Sequence, residues 1–208
     1  MIFKPFAKIH RSVATNIYIV DEKFLDKMIV SLASFIIGSL YLMIPAYVAN
    51  MTPPLLKEAR FLDYPIDMGL KFKNKRIFGS NKTLRGLIAG TLTGTAAFWI
   101  QKEIFFLTKG FAIINYDNFS LFLGALLSLG ALMGDCAESF FKRQRDHPPG
   151  TPWIPWDQID FVIGALILSL FMLKFSFIRW SVIIVTSGIL HIIINRISYI
   201  MHLQKNKY

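Results

Sequence analysis

Five apolar stretches, residues 28–56, 86–101, 118–134, 161–173 and 180–195, do most to limit what this chain can fold into. A helix needs about 20 mostly apolar residues to cross a hydrocarbon core, and four of the five fall somewhat short of that. Burial in a soluble bundle is the competing explanation. It fails on supply: with 54% hydrophobic and only 17% charged residues, too little polar sequence remains to cover the outer faces of five such helices. A mean hydropathy of +0.48 agrees. The expected fold is an all-α integral membrane protein with about five transmembrane helices, each extended by partly polar ends.

Lysine and arginine in short loops indicate sidedness. The segment 57–85 holds eight of them, residues 142–156 carry three within four positions, and residues 109–118 carry one. The first and third connections are therefore expected in the cytoplasm, with a basic cytoplasmic loop between the first and second helices. Residues 1–27 read as a separate basic arm, with Lys4, Lys8, Arg11, Lys23 and Lys27 set among Phe6, Ile9, Val13, Ile17, Val20 and Phe24. That spacing suits an amphipathic helix on a membrane surface or against the bundle. Residues 28–203 form one membrane-embedded domain in this reading, followed by a short tail, 204–208.

Residues 1–27 lack the uninterrupted apolar core of a signal peptide, so the first span is expected to be kept. A single cysteine, Cys136, excludes an internal disulfide and supports no metal cluster. The net charge of +10 sits mostly in loops beside spans, which favours anionic headgroups and phosphorylated substrates over nucleic acid.

The apolar stretch 118–134 runs directly into Asp135, Glu138, Ser139 and Lys142. On a helix these four share one face. Acids at membrane depth are costly and normally face a bundle interior or a wet cavity, although a helix that has already left the bilayer would simply solvate them. The next helix shifts the balance. Asp157 and Asp160, three positions apart, open the fourth apolar stretch, and an N-cap role explains Asp157 but not Asp160. Three carboxylates at the ends of two consecutive helices could hold a hard divalent cation through oxygen ligands. The first basic loop offers the opposite charge: Lys82, Thr83 and Arg85 stand where a helix N-terminus begins, a natural anion site. Acids for a metal, bases for phosphate and a membrane at the same level imply phosphoryl or nucleotidyl transfer to a lipid-borne acceptor.

Five ordered motifs, PAYVAN (45–50), YPIDMG (64–69), FGSNKTLRG (78–86), GDCAESFFKR (134–143) and PWDQIDF (155–161), resemble the CDP-archaeol synthase family, a short branch of the CTP-dependent phosphatidate cytidylyltransferases. The resemblance covers most of the chain. It implies attack of a lipid phosphate, archaetidic-acid-like or phosphatidic-acid-like, on the α-phosphorus of CTP, giving a CDP-activated lipid and pyrophosphate with Mg²⁺ as cofactor. Carried over by motif, Asp135, Asp157 and Asp160 organise metal and triphosphate. Ser139, Lys142 and Arg143 contact nucleotide or lipid phosphate, and Lys82, Thr83 and Arg85 bind phosphate as well. Asn50 and Asp67 match family positions as site-lining residues, with a helix-end cap and a loop turn as their respective structural alternatives. The chain departs from the family pattern at Ser80-Asn81 and at Gln144, positions that bear on which lipid is accepted.

Expected partners are CTP, a lipid phosphate and membrane lipids; no nucleic acid is implied, and a homodimer is compatible with the chain. A small transporter or channel for an anionic solute is the alternative reading, with the same charges lining a pathway. It would more often place charges at mid-span or show internal duplication, and neither is present in the sequence.

Overall fold

A computed structural model describes residues 22–148 and 151–200. They form helix α1 (Glu22–Leu42), α2 (Ile44–Leu55), a hairpin of two short strands, β1 (Lys71–Phe72) and β2 (Lys75–Arg76), then α3 (Leu84–Glu103) and the one-turn α4 (Phe105–Thr108). A 3-10 turn (Tyr116–Asn118) leads into α5 (Leu121–Gln144), α6 (Trp156–Ser169) and α7 (Phe177–Ile200). The amphipathic arm expected over residues 1–27 lies outside the described residues up to position 21, and its last six residues belong to α1. The tail 204–208 also lies outside them.

The first apolar stretch is two helices rather than one. Pro45 has no N–H, so the Tyr41 carbonyl one turn earlier loses its helical partner, and the chain breaks at Met43. Gln101 of α3 takes over that carbonyl, its Nε2 donating to Tyr41 O at 2.5 Å. The break is thereby satisfied inside the bundle rather than by water.

Close helix contact organises the rest. On α3, Gly86, Gly90 and Gly94 recur every fourth residue, and a Cβ at Gly90 or Gly94 would run into the carbonyls of Ala49 and Pro45 on α2. Small residues at that spacing let backbones approach, as is common between membrane helices. The Thr52 and Thr93 hydroxyls bond across the same seam at 2.7 Å. The α5–α6 seam is tighter still: a Cβ at Gly134 would overlap the carbonyl of Asp160, and one at Gly164 the carbonyl of Gly130. Around these seams Leu42, Phe98, Tyr116, Leu127, Phe161 and Leu166 are fully buried or nearly so.

Among the described residues, three helices are long and apolar enough to cross a membrane, over Leu25–Leu42, Leu121–Gln144 and Phe177–Ile197. The other two apolar stretches do not reach that standard. Helix α6 has 14 residues, about 21 Å of rise against a hydrocarbon core of about 30 Å. Helix α3 has 20 residues but carries Arg85 in its first turn and ends with Lys102 and Glu103.

Candidate active site

The α5–α6 seam decides where the acids go. Gly134 seats the backbone of α5 against the carbonyl of Asp160, so Asp135, the next residue, is brought beside Asp160 of α6. Glu138, one helical turn beyond Asp135, completes the group: one carboxylate oxygen from each of Asp135, Glu138 and Asp160 lies within 4.8 Å of the others. Asp160 Oδ1 also accepts from the backbone N–H of Phe161 at 2.7 Å.

Two lysines reach into this group. Lys82 Nζ, from the loop before α3, donates to Asp135 Oδ2 at 2.5 Å. Its ammonium is held above the ordinary lysine range: burial opposes the charge, and the attraction and hydrogen bond of Asp135 override it. Lys142 Nζ lies 2.7 Å from Glu138 Oε1 and 2.6 Å from Asp157 Oδ1, bridging α5 to α6. Asp157 Oδ2 accepts from the backbone N–H of Trp153 at 2.8 Å, which fixes the start of α6. Asp157 thus joins the group through Lys142 and through direct carboxyl contact with Glu138, whereas Glu138 stands in the three-carboxylate cluster itself.

Lys82 and Lys142 pair with Asp135, Glu138 and Asp157, and among the described residues Asp160 makes no ion pair, so the three converging carboxylates of Asp135, Glu138 and Asp160 are not each matched by a lysine. All the donors are hard oxygens, the set that Mg²⁺ or Ca²⁺ prefers. The residues present therefore fit a divalent cation.

A cavity of about 270 Å³ opens onto this cluster, walled by Asp135, Glu138, Ser139, Lys142, Arg143, Asp157 and Asp160 on the helices and by Phe78 to Lys82 on the loop. A second, of about 570 Å³, adjoins it between α2 and α3 and is lined by Asn50, Pro53, Pro54, Ile66, Thr83, Leu87 and Leu132 among others. Both cavities touch Ser80, Asn81, Lys82 and Asp135. The Lys82–Asp135 pair stands in the wall they share.

A family model for CarS-like CDP-archaeol synthase matches residues 32–208. The chain belongs to the CDP-archaeol synthase family. It is 43% identical over 136 residues to a CDP-archaeol synthase of Thermococcus onnurineus (strain NA1), covering 64% of this chain and 74% of that one. It is 36% identical over 172 residues to a CDP-archaeol synthase of Methanospirillum hungatei JF-1, covering 78% and 98% respectively. A solved structure described as an intramembrane enzyme for archaeal membrane lipids biosynthesis superposes with a TM-score of 0.63 at 32% identity, over 77% of this chain and 94% of that one.

The motifs that carry the CDP-archaeol synthase resemblance are not all placed alike. Asp135, Asp160, Asp157, Ser139, Lys142 and Lys82 wall the smaller cavity; Arg143 does too, while its guanidinium donates to Pro148 O at 3.4 Å. Thr83 caps α3, its Oγ1 accepting from Gly86 N at 3.3 Å, and with Asn50 it lines the larger cavity. Arg85 also borders that cavity, but its guanidinium is engaged by the Ala59 carbonyl, by Lys57 O at 3.4 Å and by Asp63 at 3.0 Å. Asp67 lines neither cavity. It is buried under the hairpin, accepting from Arg76 at 2.5 Å and from the backbone N–H groups of Gly69, Phe78 and Gly79 at 3.0, 3.1 and 3.0 Å. Ser80 and Asn81, where the chain departs from the family pattern, line both cavities directly before Lys82.

Proposed function

We propose that the two adjoining cavities are where CTP and a lipid phosphate meet in a CTP-dependent cytidylyltransferase of the membrane. An oxygen of the lipid phosphate forms a bond to the α-phosphorus of CTP, the bond from that phosphorus to the β-phosphate oxygen breaks, and pyrophosphate leaves with the electron pair. The product is a CDP-activated lipid. The observation that carries this reading is the shared wall: one lysine and one acid, Lys82 and Asp135, face a small charged cavity on one side and a larger, partly apolar one on the other.

In this reading the smaller cavity takes the triphosphate. Asp135, Glu138 and Asp160 would hold Mg²⁺, which when bound neutralises phosphate charge and orients phosphate oxygens. Lys142 and Arg143 hold phosphate oxygens from the α5 side, and Ser139 offers a hydroxyl. Asp157 keeps Lys142 aimed at the cavity and fixes the first turn of α6. The larger cavity takes the lipid, its phosphate directed toward Lys82 and its first methylenes along Pro53, Leu87 and Leu132. No side chain has to act as a covalent nucleophile; positioning and charge neutralisation account for the chemistry.

Residues 28–203 act as one catalytic domain crossing the bilayer five times, with α3 and α6 as short, partly polar crossings. The eight Lys and Arg of residues 57–85 support a site on the cytoplasmic side. The deciding experiment uses purified protein in detergent with labelled CTP, Mg²⁺ and a panel of lipid phosphates. Transfer of label into lipid, with pyrophosphate released in equal amount, is expected. No labelled lipid from any acceptor would sink the reading.

A further inference from the structure

The segment between α2 and α3 exposes an unusual surface. Phe61, Leu62, Tyr64, Met68, Leu70 and Phe72 are all exposed, Met68 to 75% and Tyr64 to 67%, although none belongs to an apolar helix face. Two of them, Leu62 and Met68, are held at φ 46° and 45°, a left-handed conformation unfavourable for such residues. The fold thus keeps large apolar side chains outward on a strained backbone. Asp67 secures the arrangement from inside through its four hydrogen bonds.

Interleaved with these residues are exposed cations, Lys57, Arg60, Lys71 and Lys73. The exposed acids of the segment are Glu58 and Asp63, and Asp63 is already paired with Arg85. Apolar and basic groups side by side match one surface in particular, the boundary of an anionic lipid leaflet, where rings and aliphatic chains enter the acyl edge and ammonium groups meet headgroup phosphates. The segment also sits at that level. The Phe72 ring lies 5.9 Å from the ring of Phe140, and Lys75 Nζ donates to Gln144 O at 2.9 Å, both partners in the last turns of a helix long enough to span.

We propose that residues 57–73 form an interfacial docking surface that rests on the anionic headgroups of the protein's own membrane. Lys57, Asp63 and Ile66 of this segment also line the larger cavity, so the surface borders that cavity's mouth and holds it against the leaflet from which a lipid would come. The placement stands on exposure and charge, and a failure of the catalytic reading would leave it untouched.

The test places a spin label at Met68→Cys, and separately at Phe72→Cys, each in a Cys136→Ala background. The full chain is reconstituted in nanodiscs of phosphatidylcholine alone or with phosphatidylglycerol. Relaxation by oxygen, which concentrates in the bilayer, is compared with relaxation by a water-soluble nickel chelate. At both positions oxygen is expected to dominate in the anionic discs. Adding Lys71→Glu with Lys73→Glu is expected to shift both labels toward the chelate in anionic discs, with a smaller shift in phosphatidylcholine. Dominance of the chelate at both positions in anionic discs would overturn the proposal. So would protection from both reagents together with a short label-to-label distance between copies, which would assign the surface to a second copy of the chain.

Discussion

Asp67 has a side chain with no exposed surface and carries a formal charge, a combination that persists only when donors replace the lost water. Burial pushes its carboxyl upward, but Arg76 and three backbone N–H groups outweigh burial and hold it well below the ordinary value of 3.8. A depressed carboxyl contributes stability that is complete above the ordinary value and is lost only as pH falls through the folded one. Exchange protection of the Phe78 and Gly79 amides, corrected for intrinsic rates, is therefore expected to be the same at pH 5 as at pH 7. In Asp67→Asn, which keeps the shape and removes the charge, that protection should fall by roughly 10–100-fold, the equivalent of about 1.5–3 kcal/mol for hydrogen bonds to a charged group. Unchanged protection would mean that Asp67 does not anchor the loop carrying Lys82. The acids of the site divide by the same kind of reasoning. Glu138 belongs to the three-carboxylate cluster, while Asp157 is held by Lys142 and the Trp153 amide. Glu138→Gln should thus weaken Mn²⁺ binding, read by its free-ion EPR signal, roughly 10–100-fold, and Asp157→Asn distinctly less. Equal losses would contradict the division.

At the scale of elements, the α5–α6 seam sets the geometry of the site. A methyl group at Gly134 would meet backbone atoms of Asp160, which cannot swing aside as a flexible side chain would. Gly134→Ala is expected to cost about 1–3 kcal/mol and to separate Asp135 from Asp160, lowering cytidylyl transfer by more than it lowers folding yield. Gly110→Ala is the control, because nothing lies within 4 Å of that position. Equal activity in the two variants would show that the seam does not position the acids. This seam also marks what could be read from sequence. The apolar stretches announced the helices, and the i, i+3 spacings placed Asp135 with Glu138 and Asp157 with Asp160, because both properties are local. Which acid of one helix meets which of the next depends on how two backbones approach. Its trace in the sequence is the GALMG run at 130–134, a small-residue spacing that does not name the partner helix. The break at Met43 was marked by Pro45, but its repair by Gln101, 60 positions away, was not legible. The same is true of Arg85 and Asp67, whose partners lie in loops and in the short hairpin; a motif displays the residue type but not the partner that consumes its hydrogen bonds.

On the scale of the whole molecule, a water-soluble nucleotide and a bilayer-bound phosphate have to reach one another, and the fold supplies two cavities with a common wall. The smaller is lined by four carboxylates and three basic residues, a surface suited to a metal–triphosphate and hostile to an acyl or isoprenoid chain. The larger brings Pro53, Pro54, Ile66, Leu87 and Leu132 together with Lys82. If each cavity serves one substrate, filling one should disturb one Michaelis constant alone. Leu87 of α3 lines only the larger cavity, and Leu87→Trp would occupy part of its volume without touching the carboxylates. The variant is expected to raise KM for the lipid phosphate by about tenfold while leaving the affinity for CTP with Mn²⁺, measured by calorimetry, within about twofold of the parent. Ser139→Leu, at the wall of the smaller cavity, should do the reverse. A Leu87→Trp protein that loses nucleotide affinity while its lipid KM stays constant would exchange the two assignments. Loss of both in either variant would mean that the cavities act as one continuous site, with the Lys82–Asp135 pair opening when substrates bind.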